Sequence, residues 1–180
     1  MQKGFTLIEL LVVIALIAVL AVAVILALNP AELLKQGRDS TRISDLANIN
    51  SALSLYLVDV ASPSMGTSTN CYVQASSSAN CSSRFTGSPT TVLIASQTVD
   101  GNGWIPVNLK AISSGSPLPK YPVDPTNNAN YFYAYRPSST PGFYEINAQL
   151  ESAKYANQAA TDGGNNNNNV YEVGNDITNL

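Results

Sequence analysis

Lys3-Gly4-Phe5-Thr6-Leu7-Ile8-Glu9-Leu10-Leu11-Val12-Val13 opens an apolar run that continues to Leu28, and the nineteen residues from Leu10 onward carry no polar side chain. At ~1.5 Å per residue a helix of that length reaches ~28 Å, close to the ~30 Å hydrocarbon core of a bilayer. The run is expected to cross a membrane, with Phe5 to Ile8 extending it in front. Lys3 is the one charge ahead of Glu9, so the cationic bias of cytoplasmic segments puts the N-terminus inside and everything past about Asn29 outside. Glu9 does not suit a plain anchor. An ionisable group in such a segment costs roughly 2.5 to 3.5 kcal/mol even on lenient insertion scales. It either snorkels to the head groups or has a functional partner.

The rest of the composition excludes more than it selects. The chain has 180 residues, enough for one core, and only 12% are charged, about half of the ~25% usual in soluble domains. Nine Lys and Arg against twelve Asp and Glu give a net charge of -3, which leaves no basic excess to neutralise phosphates, and direct nucleic-acid binding is disfavoured. There is no histidine, which removes Ser-His-Asp triads, Cys-His pairs and His-ligated zinc. No Gly-x-Ser-x-Gly, Walker or Rossmann pattern is present. Glu145 and Glu151 form no credible acid–base pair, one on a strand's polar face and the other past its end. The chain is not expected to be an enzyme.

The segment from Lys3 to Val13 resembles the N-terminal processing signal of type IV pilins and the related pseudopilins of type II secretion. That resemblance implies a leader, residues 1–4, cut after Gly4 by a membrane peptidase that also methylates the new Phe5 amine. It also implies a filament of many copies, built by a membrane assembly platform, with the bilayer holding the subunit beforehand. Gly4 offers no side chain where the peptidase approaches the backbone, and Phe5 becomes an apolar end bearing a cation. Glu9, fifth after the cut, is then the counter-charge for a neighbour's Phe5 amine, a pairing that would set the axial register. An ordinary secretory signal ending near Ala21-Val22-Ala23 competes with this, but the apolar run continues past that point to Leu28.

Asn29-Pro30 reads either as an N-cap with proline at the first helical position or as a kink in a continuous helix. Ile43, Leu46, Ile49, Leu53, Leu57 and Val60 recur at three or four residues, the apolar face of a helix running to about Val60. Arg38, Asp39, Arg42 and Asp45 read as a solvated face. With residues 5–60 fully helical the element would be ~84 Å long, interrupted by an amphipathic change at 29 and a soft spot at Gly37. A Ser/Pro/Gly stretch from Ala61 to Gly66 ends it.

The outward-facing head is thus residues 61–180. Cys71 and Cys81 are the only cysteines and, in that compartment, read as one disulfide instead of a metal pair or a Cys-x-x-Cys redox couple. Thr91 to Ser96 reads as a buried strand or short helix and Trp104 to Leu109 as an edge segment limited by Pro106. Tyr131 to Tyr135, the turn from Pro137 to Gly142, and Phe143 to Leu150 read as an antiparallel hairpin. Its aromatics are better explained as sheet core than as a stacking platform for nucleic acid or glycans. Asp124, in the loop Leu118 to Asn128, is expected in an Asx turn. The fold class is α+β, a long N-terminal helix against a small antiparallel sheet. The order of Pro-Asp-Pro loop, hairpin and acidic Gly-rich tail is similar to the major pseudopilins. That likeness makes Asp162 and Asp176 candidate Ca²⁺ ligands, set against a flexible Asn/Gly tail that binds nothing.

The functional expectation is a structural filament subunit. The alternatives are a type II secretion pseudopilin and a single-span envelope anchor displaying a binding head.

Overall fold

The computed structural model describes residues 4–74, 79–164 and 170–180, and the chain divides into two compact units, residues 1–35 and 36–180. In the first unit, helix α1 spans Leu7–Leu28. Its stretch Leu7–Ile25 has a mean hydropathy of 3.2 and no buried part, so it is long and apolar enough to cross a membrane. The helix stops at Asn29, whose φ of 40° is left-handed, a conformation asparagine adopts more readily than most residues. Helix α2 then runs Pro30–Asp59. Asn29 caps it, with its side-chain oxygen accepting from Glu32 N at 3.4 Å. Of the two sequence readings, the cap-and-proline one holds, and 5–60 is not one uninterrupted helix.

From Gln36 onward α2 belongs to the second unit. Leu46, Ile49, Ala52, Leu53 and Tyr56 are buried, with Leu57 and Val60 packed at the margin, so the three-to-four periodicity marks the true apolar face. Against it lies a five-stranded sheet in the order β2-β1-β3-β4-β5, with β1 Asn70–Gln74, β2 Thr90–Ile94, β3 Tyr133–Pro137, β4 Tyr144–Gln149 and β5 Val170–Gly174. The sheet is mixed, not wholly antiparallel as expected. β1 and β2 pair in parallel, because the chain crosses between them through the 79–89 segment, while the other pairs are antiparallel.

Front-face residues Tyr72, Tyr133, Tyr135, Tyr144, Ile146 and Ala148 close the core over α2. Each large aromatic directs its polar end to a partner, as buried Tyr and Trp require. Tyr133 OH donates to Asp45 at 2.8 Å, Tyr135 OH to the Met65 carbonyl at 2.7 Å, and Tyr144 OH to Asn50 Oδ1 at 2.7 Å. The aromatic cluster is therefore core, not platform.

Three further sequence readings are corrected. Trp104, Ile105, Val107 and Leu109 form no edge strand. All four are buried, the first three in irregular backbone and Leu109 at the start of a short 3-10 turn, Leu109–Ala111, with Trp104 Nε1 donating to the Pro122 carbonyl at 3.1 Å. Asp39 and Arg42 are not on a solvated face but fully buried. Glu145, read as lying on a strand's polar face, is buried, as is Asn147 two residues on. The residues flanking the asparagine run form helix α3 (Ala156–Thr161) and strand β5. Asn165 to Asn169 lie outside the described residues.

Candidate functional site

The N-terminal site is built by helix initiation. Thr6 has an extended backbone, φ -82° and ψ 151°, and acts as the N-cap of α1. Its hydroxyl accepts from Glu9 N at 3.3 Å, while Glu9 Oε2 accepts from Thr6 N at 2.8 Å and from Thr6 Oγ1 at 2.7 Å. This is a reciprocal capping box. It satisfies two amides that the first helical turn would leave without partners and places a carboxylate at the positive end of the helix dipole. The Thr-x-x-Glu spacing was legible in the sequence and was missed there. Phe5 is 74% exposed, and with Ile8, Glu9, Val12 and Val13 it lines a shallow apolar hollow at the helix start. Among the described residues nothing within 4 Å would meet a side chain added at Gly4, so no packing among them calls for glycine at this position.

The head's densest charge cluster joins three elements. Arg42, on α2, sends Nε to Asp124 Oδ2 at 2.6 Å and Nη2 to Asp124 Oδ1 at 2.9 Å. Its Nη1 reaches Asp39 at 2.8 Å and Glu151 at 2.7 Å. Burial works against its charge, but Asp124, Asp39 and Glu151 outweigh it and keep the guanidinium protonated. Glu151, held first by Arg38 and then by Arg42, is drawn down to about 2. Asp124 also accepts from Thr126 N at 2.8 Å and Asn127 N at 3.2 Å, the expected Asx turn. Asp39 accepts from the amides of Glu151 and Ser152 at 3.0 and 2.7 Å. Every carboxylate is paired, so the cluster ties the proline-fixed loop and the end of β4 to α2 and leaves no group free for chemistry.

Cys71 and Cys81 are bonded, with their Cα atoms 6.1 Å apart, and both are buried in a second apolar cluster with Val73, Phe85, Phe132 and Leu180. The two calcium candidates do not converge. Asp162 accepts from Gly164 N at 3.0 Å and Glu172 N at 2.7 Å, fastening the end of α3 to β5. Asp176 accepts from Asn179 Nδ2 at 2.6 Å, and the two aspartates border different hollows. Among the described residues no group of three or more Cys, Asp or Glu side chains is placed to hold a metal ion. Asp162 and Asp176 therefore do not share one shell of the six to eight oxygens that Ca²⁺ takes.

Residues 1–25 match the family model described as the prokaryotic N-terminal methylation motif. No curated protein and no solved structure matches the chain. The motif and the fold support a type IV pilin- or pseudopilin-like family, and a membrane-anchored precursor of that type. Proteins bearing this motif are structural, and the motif implies a prepilin peptidase and filament assembly.

Proposed function

We propose that the chain is the structural subunit of a type IV pilus-like filament, inserted with its N-terminus in the cytoplasm, cut between Gly4 and Phe5, methylated at Phe5 and polymerised through α1. The observation that carries this reading is the unpartnered apolar surface of α1 with one carboxylate at its start. An exposed helix of mean hydropathy 3.2 needs lipid before assembly and sister helices after it. In the subunit by itself Glu9 is satisfied by Thr6. In a helical core a neighbour's Phe5 amine takes over as its partner, and the exchange of a local cap for an intermolecular ion pair fixes the axial step.

Insertion and assembly are separable. Glu9→Ala is expected to insert and to be cut, yet to leave sheared filaments depleted at least about tenfold, since an uncompensated amine in an apolar core costs several kcal/mol. Replacing Gly4 with a bulky residue is expected to leave uncut precursor in the membrane. Normal filament yield from Glu9→Ala would remove the register mechanism. A secretion pseudopilus is the second reading, supported by the Asp124 loop preceding the β3–β4 hairpin, and short filaments that appear only when the subunit is overproduced would favour it.

A further inference from the structure

The sheet face turned away from α2 changes character at its middle. Over β1 and β3 it is apolar, with Cys71, Val73 and Ala134 in the second cluster. Over β4 and β5 it is polar. The registers pair Glu145 with Arg136 on one side and Gly174 on the other, and Asn147 with Glu172, so Glu145 and Glu172 are diagonal neighbours on one face. Glu145 and Asn147 are wholly buried and Glu172 is 3% exposed.

One hydrogen-bond donor reaches Glu145: Asn147 Nδ2 to Oε1, at 2.9 Å. Glu145 Oε2 and Asn147 Oδ1 meet no donor among the described residues. Arg136, the cation paired in register, directs its guanidinium to the carbonyls of Ser68, Thr86 and Leu180 instead. Asp162 faces the same region from the end of α3, its oxygens already on two backbone amides. Both partnerless atoms are acceptors, and the neighbours at the β5 side bring more negative charge. What this face lacks is a donor, and a proton on Oε2 supplies one.

We propose that the folded head carries Glu145 as the neutral carboxylic acid, its Oε2–H being the donor this buried face lacks, so that the docking of β5 on β4 responds to protons and not to a metal ion. The proposal stands on the head alone and is independent of the filament reading. Burial, opposed by Asn147 and reinforced by the charge of Glu172, pushes Glu145 up to about 8, with Arg136 pulling the other way and Asp162 adding to the rise. The ordinary value is 4.5. Between the two, the folded chain keeps a proton that the unfolded chain has released. The resulting stabilisation is complete below the ordinary value and lost as pH rises through about 8.

The test is thermal unfolding of the full chain in detergent at about pH 5.5 and about pH 8.5, with millimolar Ca²⁺ or with chelator. Wild type is expected to lose on the order of 5 °C more than Glu145→Gln between the two pH values, because glutamine is a permanent neutral donor of the same shape. Calcium is expected to shift neither protein. Equal pH dependence in both would overturn the proposal. So would a Ca²⁺-dependent rise at the higher pH seen in wild type and absent from Glu145→Gln, which would make the face a cation site. Should Glu145→Gln not fold, infrared difference spectra of wild type across the same range decide. Loss of a buried carboxylic-acid C=O band on raising the pH supports the proposal, and absence of that band overturns it.

Discussion

At the scale of single residues the head depends on Arg42. Three carboxylates, Asp39, Asp124 and Glu151, converge on one buried guanidinium, and removing the cation leaves like charges facing one another without water. Arg42→Met is expected to lower unfolding stability by roughly 3 to 5 kcal/mol, the usual effect of breaking a buried pair from one side. Arg42→Lys is expected to recover little, since a point-charge ammonium cannot reproduce the bidentate contact to Asp124. Denaturant titration of the three proteins checks both, and stability within about 1 kcal/mol of wild type for Arg42→Met would contradict the account. None of this was visible in the sequence. The spacing of Arg38, Asp39, Arg42 and Asp45 is equally that of a solvated helix face, and only the Asp124 loop, 82 residues away from Arg42, makes it interior. Glu9 is the opposite case. Its misfit in an apolar run announced a role, although its local partner Thr6 went unread.

At the scale of elements, legibility followed periodicity. Helix α2 and the β3–β4 hairpin repeat their apolar residues with a clear step and were found nearly in place, the hairpin displaced by about two residues at its first strand. β1 went unread because its five residues sit between a Ser/Thr-rich stretch and a run of serines in the sequence, with no alternation to mark them. The Trp104 segment misled for a related reason: Trp104, Ile105, Val107 and Leu109 are all buried, yet they join the core without pairing in the sheet. Strand β1 and the 79–89 crossover are joined by Cys71–Cys81, whose sequence separation of 10 closes a loop that loses about 3 kcal/mol of unfolded-state entropy. The unreduced full chain is therefore expected to be inert to alkylation and two hydrogens lighter by mass, with a reduced form that melts lower. Quantitative alkylation of both thiols before reduction would contradict the bond.

At the scale of the whole molecule the two units carry different parts of the account. Residues 1–35 hold an apolar helix with no internal partner and a capped, charged start. Residues 36–180 hold a head whose densest charge cluster, around Arg42, is paired within it. The N-terminal motif and the exposed apolar helix it opens bear the weight of the functional reading, and the cut after Gly4 is where it is most exposed. The direct measurement is the N-terminal sequence and mass of the subunit recovered from sheared filaments. The account predicts a chain that begins at N-methylated Phe5, four residues shorter than the 180 of the precursor. A mature chain beginning at Val24, or an uncut chain still starting at Met1 in those filaments, would contradict it.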